Sequence, residues 1–389
     1  MKRAIIVVLD SLGIGAMPDA NDYGDSGSNT LGSIKRSMPD LRIPHLEKLG
    51  LGYIQGIDYL NRPDDLKGAY GRMAEKSKGK DTITGHWEIA GLHTKEPFRT
   101  FSVFPEEFIR EYEERIGVEV IGNYAASGTE IIKELGDEHK RTGKPIVYTS
   151  ADSVFQVAAN VEVIPLERLY EICRIAREML IGDLSVGRVI ARPFVEKEGV
   201  YIRTSDRKDY AVSPSGRTML DIIKDAGKTV YSVGKIKDIF NGQGITESVH
   251  ADGNMDGVDK TLLAMKEEFS GLIFSNLVDF DSKYGHRRDP VGYGKALEDF
   301  DLRLPEFFDG MKEDDVLILC ADHGNDPCHR GWDHTREYVP VIFYGKKVSA
   351  GTNLGTLSSF ATIGATVCHY LGLESTAIGE SVLDRIIKL

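Results

Sequence analysis

The chain has 389 residues, of which 41% are hydrophobic and 28% are charged, as in a soluble globular protein long enough for two domains. Its 60 acidic and 48 basic residues give a formal net charge of -12, which argues against general binding to nucleic acids or membrane surfaces because those roles need an extended basic face. A small anionic substrate is not excluded, since bound divalent cations can reverse the local field of an acidic protein.

The four cysteines form no C-x-x-C pair, and their spacing indicates no disulfide framework. The apolar run at residues 4–9 is stopped by Asp10 and is too short for a secretory signal. No stretch approaches the length that spans a membrane. We therefore expect a cytoplasmic enzyme with reduced cysteines.

Residues 4–9 form a continuous apolar run rich in β-branched residues, which predicts a central parallel strand buried on both faces. The run ends at Asp10, and Gly13 and Gly15 permit a close turn after it. Ligands of open α/β sheets bind beyond the carboxyl ends of the strands, so Asp10 is a candidate ligand. A helix-capping role for Asp10 is the alternative, and the local residues do not choose between the two.

The next dense cluster is Gly-Lys-Asp-Thr-Ile-Thr-Gly-His-Trp-Glu at residues 79–88. If the following residues continue as a helix, Thr82 lies near a helix N-terminus, where phosphate binds well. A threonine hydroxyl becomes a nucleophile when a base or a metal activates it. Thr82 is therefore either a candidate nucleophile or a helix N-cap. Thr84 is a competing hydroxyl, because both side chains share a face if the segment is extended.

The character of the chain changes between Pro97 and Pro214, where strands and helices alternate with few metal-type ligands. A helix start at Pro105, a strand after Pro145 and an amphipathic helix near residues 166–180 are predicted there. Pro193 suggests that a strand at residues 186–194 lies at an edge or near its own end. We predict an inserted α+β domain over residues 97–213, within a catalytic core formed by residues 1–96 and 214–389.

Two further apolar runs end in acidic residues with histidines nearby. Residues 272–278 lead to Asp279, Asp281 and His286, and residues 316–321 lead to Asp322 and His323, with His334 in the following loop. Carboxylate oxygen and imidazole nitrogen suit Mn²⁺, Zn²⁺ or Fe²⁺ better than Ca²⁺. Together with Asp10, three acidic strand ends predict a metal site. Asp279 and Asp281 would share a face if the strand continued, so the choice between them stays open.

These segments together resemble the phosphopentomutase family of the alkaline phosphatase superfamily. The matching segments lie at residues 7–15, 79–88, 279–288, 321–327 and 333–338, and the resemblance runs essentially from end to end. It implies an alkaline-phosphatase-like α/β core with a mostly parallel central sheet, helices on both faces and an inserted cap domain.

The resemblance also implies two Mn²⁺ ions per subunit. One would be held by Asp281, His286 and His334. The other would be held by Asp10, Asp322 and His323, with Thr82 beside them as metal ligand and phosphoryl acceptor. His329 and Asp279 match no ligand of the family.

For the substrate, the resemblance implies contacts from Ser150 and Asp152 to ribose hydroxyls and from Arg188, Arg203 and Lys235 to the distal phosphate. Guanidinium groups suit a phosphate dianion because they bind it through two parallel hydrogen bonds. The implied reaction interconverts α-D-ribose 1-phosphate and D-ribose 5-phosphate, or their 2-deoxyribose analogues, through ribose 1,5-bisphosphate. Glucose 1,6-bisphosphate or ribose 1,5-bisphosphate would prime Thr82.

Three other interpretations compete with this one. A metal-dependent phosphatase and a cofactor-independent phosphoglycerate mutase belong to the same superfamily, and a sugar-phosphate-binding protein without activity could keep the fold. Pentose phosphates are the expected small-molecule partners. The sequence indicates no nucleic acid, membrane or protein partner.

Overall fold

The computed structural model describes residues 1–150 and 153–387, so Asp152 lies outside the described residues. The chain divides into two compact units, one containing Met1–Glu96 and Pro214–Leu389 and the other containing Pro97–Ser213. The strands in chain order are β1 (Arg3–Leu9), β2 (Ala69–Met73), β3 (Ile121–Ala125), β4 (Ile146–Thr149), β5 (Val154–Asn160), β6 (Arg188–Lys197), β7 (Val200–Arg203), β8 (Lys208–Ala211), β9 (Thr229–Val233), β10 (Glu247–Val249), β11 (Gly271–Leu277), β12 (Asp315–Cys320), β13 (Val339–Tyr344) and β14 (Asn353–Leu357).

The helices in chain order are α1 (Thr30–Ser37), α2 (Pro44–Leu49), α3 (Thr82–Ile89), α4 (Glu106–Ile116), α5 (Gly128–Thr142), α6 (Leu166–Met179), α7 (Met219–Asp225), α8 (Ile236–Ile239), α9 (Asn254–Lys266), α10 (Pro290–Gly310), α11 (Thr362–Tyr370) and α12 (Leu383–Ile386). None of the helices in the described part of the chain combines the length and the apolar character needed to cross a bilayer.

The first unit is built on an eight-stranded sheet with the order β10-β9-β11-β1-β12-β13-β2-β14. β1 pairs in parallel with β11 on one side and β12 on the other, and β13 runs antiparallel to both of its neighbours. Every residue of β1, β11 and β12 is buried, so both faces of the sheet centre are covered. The prediction of a mostly parallel α/β core is confirmed.

This topology brings three chain segments to one edge of the sheet. β1, β11 and β12 are parallel neighbours, so their carboxyl ends meet there. Asp10 follows β1, the segment at residues 279–286 follows β11, and Asp322 follows β12. The predicted ligands therefore begin from neighbouring backbone positions.

The second unit contains a six-stranded sheet with the order β3-β4-β5-β6-β7, and β8 also pairs with β6. One apolar cluster joins the sheet to α4 and α6 through Phe108, Tyr112, Phe155 and Ile172. A separate cluster includes Ile131 on α5 and residues of β4, β5 and β6. Each helix group therefore covers the sheet through its own apolar cluster.

The prediction that Pro193 marks an edge or a strand end is wrong, because β6 is an interior strand. β6 pairs with β5 along residues 188–194. Its other side pairs with β8 at residues 188–191 and with β7 at residues 194–197. Pro193 lies in the gap between these two partners, where its missing N–H costs no ladder hydrogen bond.

We expect the second unit to lose stability at acid pH through His139. This side chain is buried; its Nδ1 donates to the Lys144 carbonyl at 2.7 Å and its Nε2 accepts from the Asn160 N–H at 2.9 Å. Burial lowers the pKa of His139. The unfolded chain therefore takes up the proton first, and the free energy of unfolding falls as the pH drops below about 6.5.

The measurement is amide exchange of the segment around residues 131–160 at pH 7 and pH 5. His139→Gln removes the titrating group and should reduce the difference between the two pH values. An equal acid effect in parent and variant would assign the effect to other groups.

Candidate metal centre and phosphoryl acceptor

The backbone around Asp10 is held in an unusual conformation. Ser11 has a φ of 67°, the left-handed region that side-chain-bearing residues rarely adopt, and its N–H donates to Asp322 Oδ1 at 3.1 Å. The buried Tyr293 hydroxyl, which comes from α10, donates to the Asp10 carbonyl at 3.0 Å. These contacts tie the ends of β1 and β12 together, and Asp10 caps no helix.

Asp281, His286 and His334 form the first group of candidate ligands, with ligand atoms within 4.8 Å of one another. His286 Nε2 lies 3.2 Å from Asp281 Oδ2 and 3.0 Å from His334 Nε2. His286 Nδ1 donates to the Trp332 carbonyl at 3.1 Å, which directs Nε2 toward the group. Asn325 Nδ2 donates to Asp281 Oδ1 at 2.7 Å and orients the carboxylate.

The chain after β11 forms a π-helix at Phe280–Gly285 instead of continuing as a strand. Asp279 and Asp281 therefore do not share a face. Asp279 Oδ2 accepts from the Asn254 N–H at 2.9 Å and from Lys283 Nζ at 3.0 Å, outside the ligand group. π-Helical turns often occur at functional sites, and this one directs Asp281 to the histidines.

Charges compensate one another in this first group. Burial opposes ionisation of Asp281, but His334, His286 and His323 hold the pKa of this carboxyl well below its usual value. Burial likewise opposes the charge on His334, but Asp281 raises the pKa of this imidazole to about 9. Asp281 thus favours a positive charge beside it.

Asp10, Asp322 and His323 form the second group, again with ligand atoms within 4.8 Å of one another. His323 Nε2 lies 3.5 Å from Asp10 Oδ1 and 3.4 Å from Asp322 Oδ2. His323 Nδ1 donates to the Gly324 carbonyl at 3.1 Å, which leaves Nε2 as the ligand atom. Asn276 Nδ2 donates to Asp10 Oδ2 at 2.8 Å and orients that carboxylate.

The second group fits a divalent cation on the chemistry of its own atoms. Asp10 Oδ1 and Asp322 Oδ2 are buried without a hydrogen-bond partner, although His86 Nδ1 lies 3.1 Å from Asp322 Oδ2. Burial, followed by the charges of Asp322 and Asp281, raises the pKa of Asp10 well above its usual value. A bound cation would relieve the repulsion between these buried carboxylates, and oxygen with imidazole nitrogen suits Mn²⁺, Zn²⁺ or Fe²⁺.

Thr82 is the first residue of α3, and its Oγ1 lies 3.2 Å from His323 Nε2. The N-cap is Asp81, whose side chain accepts from the Thr84 N–H at 3.1 Å, so the N-cap interpretation of Thr82 is wrong. The Thr84 hydroxyl is buried and donates to Asp81 Oδ2 at 2.6 Å. Because the segment is helical, the two hydroxyls point to different partners.

The approach of α3 to the metal groups depends on a glycine. A Cβ added at Gly85 would lie 2.0 Å from the Asp322 carbonyl oxygen. His86, one residue on, donates from Nδ1 to the Thr82 carbonyl at 2.9 Å. Gly85 thus allows the first turn of α3 to lie directly against the end of β12.

Two of the predicted substrate contacts, Ser150 and Lys235, belong to different units of the chain. Ser150 is half-buried after β4, while its predicted partner Asp152 is outside the described residues. Lys235 follows β9 on the first unit and is exposed. Its positive charge partly offsets the raised pKa of Asp10.

The two predicted arginine contacts belong to the sheet of the second unit. Arg188 Nη1 lies 3.7 Å from Asp209 Oδ2, a distance too long for a hydrogen bond. The Arg203 guanidinium lies beside Tyr148 and Gly128, and the buried Arg203 Nε has no hydrogen-bond partner. Both arginines therefore retain hydrogen-bonding capacity for an anion.

Several residues that support the site have no assigned role in the sequence prediction. Asn325 and His86 lie within the matching segments at residues 321–327 and 79–88, but the sequence does not predict which atoms they contact. Tyr293 lies within α10 and carries no motif signal. His329 is half-buried, and its Nε2 lies 3.3 Å from the Gly24 carbonyl, outside both ligand groups.

The chain is similar over its whole length to known phosphopentomutases. The family model of the Metalloenzyme superfamily matches residues 2–375. The chain is 57% identical to a phosphopentomutase from Acetivibrio thermocellus and 58% identical to one from Desulfitobacterium hafniense, over 100% of both chains in each case. It is 56% identical to a phosphopentomutase from Clostridioides difficile over 98% of both chains. A solved phosphoglycerate mutase from Leishmania mexicana covers 100% of this chain and 98% of its own, with 13% identity and a TM-score of 0.48.

Proposed function

This chain belongs to the phosphopentomutase family and is an isomerase of pentose phosphates; from that premise we propose that Thr82 carries the phosphoryl group between O1 and O5. The observation that carries this proposal is the position of the Thr82 hydroxyl, 3.2 Å from His323 Nε2 and at the N-terminus of α3. Helix N-termini favour phosphate because their N–H groups are free to donate.

Mn²⁺ is the proposed metal at both ligand groups. Asp281, His286 and His334 would hold one ion, and Asp10, Asp322 and His323, with Thr82, would hold the other. When bound, divalent cations neutralise charge on the transferring phosphoryl group and activate the hydroxyl that attacks it. The orphaned oxygens of Asp10 and Asp322 support this assignment.

The working enzyme carries a phosphate group on Thr82. Glucose 1,6-bisphosphate or ribose 1,5-bisphosphate supplies this group. Phosphothreonine donates its phosphoryl group to the free hydroxyl of the pentose monophosphate, which yields the 1,5-bisphosphate and free Thr82. The hydroxyl of Thr82 then takes the other phosphoryl group, and the isomeric monophosphate leaves. Each turnover thus restores the phosphothreonine, and no phosphate is released.

The substrate contacts are proposed on family resemblance and charge. Ser150 and Asp152 would bind the ribose hydroxyls, and Arg188, Arg203 and Lys235 would bind the distal phosphate. The unpartnered Arg203 Nε supports this part of the proposal. We also propose that the enzyme works in the cytoplasm on free pentose phosphates, without a nucleic-acid or membrane partner.

One assay tests this function against its competitors. Ribose 1-phosphate is incubated with Mn²⁺ and catalytic glucose 1,6-bisphosphate, and both ribose 5-phosphate and free phosphate are measured. Ribose 5-phosphate without free phosphate is expected. Stoichiometric free phosphate would indicate a phosphatase, and no turnover would indicate a binding protein. Turnover in a parallel incubation with 3-phosphoglycerate would indicate a phosphoglycerate mutase.

Arg188→Ala and Lys235→Ala should each raise the KM for ribose 5-phosphate. Loss of a charge-assisted hydrogen bond costs about 1.5–3 kcal/mol, which corresponds to a KM roughly 10- to 150-fold higher. Metal content should stay at the parental value. Lys237→Ala is the matched control, since this exposed lysine lies two residues from Lys235. A KM in the Arg188 or Lys235 variant equal to that of the control would remove the residue from the phosphate site.

A further inference from the structure

Arg336 is almost completely buried, and it binds the segment that precedes Thr82. Its side chain is 3% exposed. Nη1 donates to the carbonyl oxygens of Ser77 at 2.9 Å and Gly79 at 2.7 Å, and Nη2 donates to the carbonyl oxygen of Glu75 at 2.9 Å. Residues 74–80 form neither helix nor strand. The guanidinium therefore donates the hydrogen bonds to three carbonyls that a helix or a sheet would otherwise supply.

Two carboxylates hold this guanidinium in place. Glu75 Oε2 accepts from Nη1 at 2.7 Å, and Asp19 Oδ2 accepts from Nη2 at 3.0 Å. The Tyr23 ring centroid lies 4.9 Å from the guanidinium carbon. A lysine at this position would keep the charge but would present its donors from a single atom, so it would not reach this set of acceptors.

A second link joins the same two segments of the chain. The Arg336 N–H donates to Asp25 Oδ2 at 2.9 Å, and Lys80 Nζ donates to the same oxygen at 3.0 Å. Lys80 Nζ also lies 3.1 Å from Asp333 Oδ2. The segment at residues 333–336, which contains the candidate ligand His334, is therefore tied to the segment at residues 75–80 through Arg336 and through Lys80.

We propose that Arg336 is a positioning residue for phosphoryl transfer, which sets the distance between the Thr82 hydroxyl and the ligand groups. The Gly79 carbonyl is the last of the three carbonyls that Arg336 binds. Gly79 lies two residues before Asp81, the N-cap of α3, and three residues before Thr82. Movement of these residues would move the first turn of α3. A displacement of about 1 Å at a reacting group can cost about 100-fold in rate. The inference rests on the proposed role of Thr82.

The test compares Arg336→Lys with Arg62→Lys in the full-length enzyme loaded with Mn²⁺. Arg62 is a matched control, because its guanidinium also donates to backbone carbonyls, those of Gly52 and Ile57, in the same unit. We expect Arg336→Lys to lower kcat by at least about tenfold with KM nearly unchanged, because the Thr82 hydroxyl that accepts the phosphoryl group would be misplaced. Amide exchange at residues 76–81 should become faster, while exchange in β1 and β11 and metal content stay parental.

Asp19→Asn provides a second variant that is safe for folding, because the Asp19 side chain is 39% exposed. It weakens the outer contact of Arg336 and should lower kcat by a smaller factor in the same direction. Parental kcat in Arg336→Lys, or in Asp19→Asn if Arg336→Lys does not fold, would overturn the inference. Faster exchange throughout the first unit would also overturn it, because the role would then be structural alone. Phosphate mapped to a residue other than Thr82 in the parent would instead overturn the proposed function.

Discussion

Thr82→Val should lose mutase activity by more than about three orders of magnitude, as expected when the group that forms the covalent intermediate is removed. It should also take up no phosphate from glucose 1,6-bisphosphate. Valine preserves the shape of threonine at the start of α3, and Asp81 still caps the helix through the Thr84 N–H at 3.1 Å. The loss would therefore report on the hydroxyl that lies 3.2 Å from His323 Nε2.

Thr84→Val is the matched control for this experiment. Its hydroxyl donates to Asp81 Oδ2 at 2.6 Å and is buried, so its removal affects the helix start without removing the acceptor. This variant should still be phosphorylated at Thr82. Peptide mass spectrometry locates the phosphate in both proteins. Phosphate on Thr84 in the parent, or parental mutase activity in Thr82→Val, would identify a different nucleophile.

Asp281→Asn should reduce turnover by at least about 100-fold and should lower the metal content of the purified enzyme. The two oxygens of Asp281 lie within 3.5 Å of the Nε2 atoms of His286 and His334. Asparagine has the same size but carries no charge, and it places an NH₂ group among atoms that would bind a cation. His334→Ala should give the same two losses.

Asp279→Asn is the matched control, because the same change is made two residues away. Asp279 accepts from the Asn254 N–H and from Lys283 Nζ, and it is not part of either ligand group. We expect near-parental turnover and metal content, with a modest loss of stability. Full metal occupancy and parental activity in Asp281→Asn would remove Asp281 from the site. A loss of turnover and metal content in Asp279→Asn instead would assign the role of metal ligand to Asp279.

The sequence by itself determined the scaffold of the site. The apolar runs of β1, β11 and β12 have the length and hydrophobicity typical of buried strands, and Asp10 and Asp322 lie at or just beyond the ends of their runs. Parallel neighbours end at the same edge of a sheet, so candidate ligands at these ends were expected to meet. The resemblance then divided them into two groups and chose between the hydroxyls.

Only the tertiary structure decided how individual side chains point. The change from β11 to a π-helix separates Asp279 from Asp281, which no strand periodicity could reveal. The close approach of α3 to β12 at Gly85 brings Thr82 to His323, 241 residues away in the chain. Arg336 received no role from the sequence, because a buried arginine is recognised by its acceptors, and these come from segments more than 250 residues distant. The spacing of residues in the sequence predicts which way a side chain points within a helix or a strand. Contacts between irregular segments depend instead on the packing of the whole unit.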